Sequence, residues 1–230
     1  MRKMRKISII IGIILILVGV VFGGSSLWEL YETKAKTSES LKEAKALVNK
    51  QEKHVEDTDT NHPNTVIEKK ERESVRTSDD SKSSESKSKN LKTKEKYTPK
   101  TGDVAGLLTI PAINAELPIV EGTDPNDLAK GVGHYKGSYY PDQNGQIVLS
   151  GHRDTVFRRA GELRKGDILR VDTGYGGYDY VIKKMKIVSK DDDSIITLQH
   201  EKEELILTTC YPFSYIGDAP DRYIIYAYRK

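Results

Sequence analysis

The chain has 230 residues, of which 37% are hydrophobic and 31% charged, with 37 Lys and Arg against 34 Asp and Glu. That length holds one ordinary globular domain, and near-balanced charge with no basic stripe interleaved with aromatics excludes a dedicated nucleic-acid binder. The one cysteine, Cys210, excludes an intrachain disulfide and a multi-cysteine zinc site, which leaves it as a buried small hydrophobe or a reactive thiol.

Residues 1–6 carry Arg2, Lys3, Arg5 and Lys6, and an uncharged run follows over residues 7–28. As a helix that run spans roughly 30 Å of hydrocarbon. Its apolar part, Ile7 to Phe22, exceeds the usual core of a cleaved signal peptide and no A-x-A site follows it, so a retained signal-anchor is expected. Positive charge before the span and a mixed Glu/Lys sequence after it predict a cytoplasmic N-terminus, one membrane pass and an extracellular remainder.

Residues 29–102 read as a helical or disordered stalk. From Leu30 to about Val55, sparse apolar residues (Leu41, Ala44, Leu47, Val48) in a Lys/Glu/Ala background fit a marginal exposed helix or a disordered segment. From Glu56 to Lys100 the composition turns to Asp, Ser, Thr, Lys and Glu, with almost nothing apolar to offset the entropy of ordering. His54 and His62 fall in this stalk.

The folded domain is expected over residues 103–230. Nine short runs look like strands: 106–110, 117–120, 131–135, 146–150, 167–172, 178–188, 194–198, 204–209 and 223–228. Asp124 and Pro125 predict a short helix reaching to about Lys130. So many strands with so little helix indicate a mainly β domain closed into a barrel.

Cys210 follows the run 204–209, and Arg222 precedes the run 223–228. If those two strands pair as an antiparallel hairpin, the two residues face each other with Cβ atoms ~5 Å apart. His152 likewise follows the run 146–150, and a parallel pairing or a shared barrel rim would bring it to the same edge. A free thiol is mostly protonated at neutral pH, and a nearby imidazolium or guanidinium stabilises the nucleophilic thiolate. Histidine can then move the proton of the amine, and arginine can donate to the substrate or to a developing oxyanion.

LSGHRDTVF (Leu149 to Phe157), LTTCYPF (Leu207 to Phe213) and GDAPDRYII (Gly217 to Ile225) resemble the His, Cys and Arg motifs of sortases, and IPAINAELPIVEG, GVGHYKGS and LRKGDIL follow the family's order. TCYPF and the N-terminal anchor are most similar to class D sortases of Gram-positive bacteria, ahead of classes A and C. The resemblance implies a closed eight-stranded sortase-type β-barrel with short helices. It also implies cleavage of an LPXTG-like sorting signal after Thr through a thioester, and transfer of the acyl group to an amine of the peptidoglycan precursor, anchoring surface proteins to the wall. By position Cys210 matches the nucleophile, His152 the acid/base and Arg222 the substrate and oxyanion residue. Thr209 matches a position whose side chain or backbone assists the oxyanion. No cofactor or metal is implied. No lid motif of the pilin-polymerising kind is evident, although part of the stalk could cover the site.

Other residues compete for these roles. His134, on an apparent strand, reads as a structural hydrogen-bonding histidine, and His200 as a solvated one. Asp191 to Asp193 lack the alternating oxygen ligands of a calcium loop and read as a solvated turn. Competing functions are a membrane-anchored cysteine hydrolase, an L,D-transpeptidase, whose S-x-G-C sequence is absent here, and a non-enzymatic wall-binding or adhesion module with a buried cysteine.

Overall fold

The computed structural model describes residues 31–50, 97–215 and 217–230. The expected cytoplasmic tip (1–6), the membrane segment (7–28), His54, His62 and most of the polar stalk lie outside them. Among the described residues no helix is long and apolar enough to cross a membrane.

Eight strands close a barrel: β1 (Val104–Ile110), β2 (Ala115–Glu121), β3 (Val132–His134), β4 (Gln146–Ser150), β5 (Ile168–Thr173), β6 (Gly176–Ser189), β7 (Glu204–Tyr211) and β8 (Asp221–Arg229). Their order around the wall is β1-β2-β3-β4-β7-β8-β6-β5. The pairs β2·β3 and β4·β7 are parallel and the rest antiparallel. Alternating residues point inward, so Leu108, Ile110, Ile147, Leu149, Leu205 and Leu207 meet in one core. Among the described residues every strand of the barrel has a neighbour on both sides. The long strand β6 serves two neighbours, β5 and β8, and its register against β8 shifts between Ile182 and Lys184.

The expected helix is observed as α2 (Pro125–Leu128), with Asp124 at its N-cap, Pro125 in the first turn and the Asp127 carboxylate accepting from the Asp124 N–H. The run 194–198 is not a strand. Its first half is a 3-10 turn (Asp193–Ile195) started by the Asp192 side chain, which accepts from Ser194 N. The buried Gln146 side chain then takes the place of a strand partner. Its Oε1 accepts from the N–H groups of Thr197 and Leu198, while its Nε2 donates to the Ile195 carbonyl. This holds Ile195 over Val188, Ile206 and Ile224 on the outer barrel face.

Packing continues N-terminal to residue 103. Tyr97 packs against the core and donates its hydroxyl to the Ala105 carbonyl. Residues 31–50 form a helix, α1. Ser40 and Ala44 are buried, and Leu41 and Val48 pack with Ala44 on Val104 and Leu107 of β1. The sparse apolar residues of this segment share one helical face, and the small side chains of Ser40 and Ala44 let the backbone approach the strand. So β1 is covered on both sides, and the exposed helix expected here is a docked one.

Candidate functional site

Strand β7 runs on past the predicted residues to include Cys210, and β8 begins early enough to include Arg222, so the two are themselves register partners in the antiparallel ladder. Leu205 and Leu207 point into the core, whereas Ile206 points outward. Alternation therefore sets Cys210 on the outer face, and likewise Arg222, two residues before the outward Ile224. Cys210 and Arg222 are both half-buried.

His152 reaches the same rim along β4. That strand is parallel to β7 with Ser150 opposite Thr208, and the ladder extends one step beyond it through Gly151 N–H to the Thr208 carbonyl, 3.1 Å. His152 is the next residue, at the end of β4 that adjoins the Cys210 end of β7. The backbone turns sharply there, with Phe157 N–H donating to the His152 carbonyl at 3.0 Å. A Cβ on Gly151 would lie 2.6 Å from Val156 Cγ2 and 2.7 Å from the buried Phe157 ring, so only glycine permits this return. His152 itself is exposed.

Thr209 points the other way from Cys210. Its buried hydroxyl donates to the Gly151 carbonyl at 2.7 Å, which ties β7 to the loop that carries His152 and commits the side-chain proton that an oxyanion contact would need. Of the Arg222 fork, Nη1 donates to the Ala219 and Asp221 carbonyls at 3.2 and 3.0 Å. A guanidinium has five N–H donors, and among the described residues Nε and Nη2 meet no protein acceptor.

Two features beyond the predicted set frame the site. Arg153 Nη2 donates to the Gly217 carbonyl at 2.8 Å and its guanidinium lies over the Tyr215 ring at 5.8 Å, which links the loop after His152 to the loop between Cys210 and Arg222. Tyr211, Phe213 and Tyr223 form an aromatic cluster with ring centroids 5.4 to 6.0 Å apart at the base of that loop. Arg153 was within view in the sequence, directly after the histidine, but nothing there gave it a partner 64 residues away.

The remaining histidines separate cleanly. His134 is buried, with Nδ1 2.6 Å from Glu121 Oε2 and its ring stacked on Tyr140 at 4.0 Å. The Tyr140 hydroxyl donates to the same carboxylate at 2.5 Å. Burial alone would push the Glu121 carboxyl up, but the hydrogen bonds from His134 and Tyr140 outweigh it and hold the pKa below the ordinary value. His200 is exposed, and its ring stacks on Tyr139 at 4.8 Å. Asp192 accepts from the N–H and hydroxyl of Ser194. Among the described residues no group of His, Cys, Asp and Glu is placed to hold a metal ion.

A closed barrel with a single cysteine and an arginine paired across a hairpin mouth defines a protein equipped for thiol chemistry at a strand end. The family model described as Sortase domain matches residues 108–230. The chain is 56% identical over 220 residues to Sortase D of Bacillus subtilis, covering 96% of this chain and 98% of the relative. Among solved structures, a Clostridium perfringens Sortase D5 transpeptidase superposes with a TM-score of 0.55 at 26% identity, over 63% of this chain and 88% of that one. A Clostridium perfringens sortase C solved with the C-terminal cell wall sorting motif does so at 0.53 and 27%, over 66% and 92%. The chain belongs to the sortase family of cysteine transpeptidases.

Proposed function

We propose that this transpeptidase cleaves an LPXTG-like sorting signal after its Thr and passes the acyl group to an amine of the peptidoglycan precursor, with Cys210, His152 and Arg222 as the working set. The observation that supports the assignment is the register of the strand ends: Cys210 stands opposite Arg222 across β7 and β8, and β4, parallel to β7, ends with Ser150 opposite Thr208, two residues before His152. The relative solved with a cell wall sorting motif supports the substrate class.

In this scheme the Cys210 thiolate forms the Sγ–C bond to the scissile carbonyl, and the C–N bond breaks as His152 gives its proton to the leaving amine. The incoming amine attacks the thioester, His152 takes its proton, and the thiolate leaves. Arg222 uses Nε and Nη2 to donate to the substrate carbonyls or to the oxyanion of each tetrahedral intermediate. The Thr209 side chain holds the two loops in register; any oxyanion contact at that position falls to backbone N–H. Residues 7–28 serve as a single membrane pass with the N-terminus in the cytoplasm, a reading supported by the basic residues at 2, 3, 5 and 6 and the apolar run that follows.

The test is product analysis. Full-length protein in detergent, given an LPXTG-like peptide and a peptidoglycan-derived amine, yields the amide of the peptide cut after Thr. Release of the free acid alone, at saturating amine, would make the enzyme a hydrolase instead.

A further inference from the structure

We infer that α1 is a clip on the barrel. It pins both ends of residues 51–96 to one wall, so the N-terminal part of the chain stays bound to the catalytic domain even when 51–96 is cut.

Three sets of contacts carry this. The buried stripe of α1 sits on β1 through Ala44, which is fully buried, with Leu41 and Val48 against Val104 and Leu107. Polar contacts flank it: Thr37 Oγ1 lies 3.2 Å from the Ala129 carbonyl, and Lys45 Nζ lies 2.5 Å from Glu116 on β2. The third set concerns the ends of the intervening chain. A Cβ on Gly174, in the β5–β6 turn, would lie 3.4 Å from Leu47 Cδ2 and 3.9 Å from Tyr97 Cε2. The last turn of α1 and the residue that opens the barrel domain therefore flank the same glycine. Residues 51–96 depart from and return to one place, so their length does not set how far the barrel lies from the N-terminus.

The clip leaves the site open. Counting around the closed wall, β7 is four strands from β1 in either direction, so α1 docks diametrically opposite the strand that carries Cys210. If the membrane anchor proposed above holds, the barrel rides beside the membrane exit of its own chain with Cys210 facing away from α1; the clip itself does not depend on that anchor.

The experiment uses the full-length chain in detergent with a specific protease site in place of residues 78–84 and an affinity tag at the C-terminus. After complete cutting, the N-terminal fragment is expected to co-elute with the barrel in size exclusion and to be retained on the tag. Ala44→Glu, which forces a charge into the contact, should lower the retained fraction at least tenfold. Ser38→Glu, on the exposed side of α1, should not change it. Ala44→Glu is checked for folding by its peptide cleavage before cutting, which should equal wild type. Independently, excess synthetic peptide of residues 31–50 should displace the cut fragment from the wild-type barrel. Separation of the wild-type fragments on cutting, or retention in Ala44→Glu, overturns the clip. Membrane fractionation of the uncut chain reports on the anchor alone, so the two can fail separately.

Discussion

The Thr209 hydroxyl donates to the Gly151 carbonyl at 2.7 Å, so the residue before Cys210 is bonded to the residue before His152. Strand β7 and the histidine loop are thereby fixed to one another beside the two residues proposed to react. Thr209→Val keeps the shape but removes the donor and leaves a buried carbonyl unpaired, a loss of about 1–3 kcal/mol in stability. We expect kcat to fall ~10-fold with KM little changed, because the loops that present His152 and Cys210 loosen. Thr209→Ser should recover most of that loss. Steady-state kinetics of the two variants decides it, and a KM effect without a kcat effect would move Thr209 to substrate binding.

The two histidines of the domain that compete for the acid/base role should fail in different assays. His152→Ala is expected to lose at least ~10² in rate, the scale of a general acid, with its melting temperature unchanged, because the side chain is exposed. His134→Gln removes the ring that bonds the buried Glu121 carboxylate and should lose about 1.5–3 kcal/mol of stability while its folded fraction keeps its rate. Thermal melts beside single-turnover rates separate them, and a stable, inactive His134→Gln would reverse the assignment.

Glu121 and the buried tyrosines together set a pH window for stability. Glu121 has its pKa lowered in the fold, so its contribution is present above the ordinary carboxyl value of 4.5 and is lost as pH falls through the depressed one. Tyr97, Tyr140 and Tyr180 have theirs raised, chiefly by burial, so the stability they lend is complete below their ordinary value of 10 and declines as pH rises above it. Denaturant melts should show a plateau between these limits. Glu121→Gln should flatten the acid side and, because the Glu121 charge also helps to raise Tyr97 and Tyr140, soften the alkaline side to a smaller extent; an unchanged acid slope would assign it to other carboxylates.

Arg222 gives a third division. Its planar fork offers two directed donors where lysine offers a point charge, and one transition-state donor is worth about 2.7–4 kcal/mol. We expect Arg222→Lys to lose at least ~10-fold in kcat/KM with the pH profile of Cys210 alkylation unchanged. A lysine variant with near-normal turnover, beside an alanine variant alkylated only at higher pH, would instead make the arginine chiefly a partner of the thiolate.

Much of this was legible in the sequence because it is local. Period-2 alternation exposed eight of the strands, and Asp124 with Pro125 marked α2. Cys210 and Arg222 could be paired because the loop between them is short enough for a hairpin. The run 194–198 misled, since its β-branched and apolar residues reflect Ile195 covering an outer face, held there by Gln146, a side chain about fifty residues earlier. The docking of α1 was hidden for the opposite reason. Its apolar residues Leu41, Ala44 and Val48 mark a helix face, but the centre of that face is Ser40 and Ala44, whose small size suits close packing and adds little to the pattern that would call for a partner. Arg153 stayed invisible because its acceptor, the Gly217 carbonyl, is a backbone group that no sequence pattern marks.

The most direct measurement is the mass of the protein after mixing with an LPXTG-like peptide in the absence of amine. The account predicts an added mass equal to the peptide cut after Thr, mapped by proteolysis to Cys210, discharged on adding amine, and absent in a folded Cys210→Ala variant. Peptide turnover that persists in Cys210→Ala, or an adduct mapped to any other residue, would contradict it.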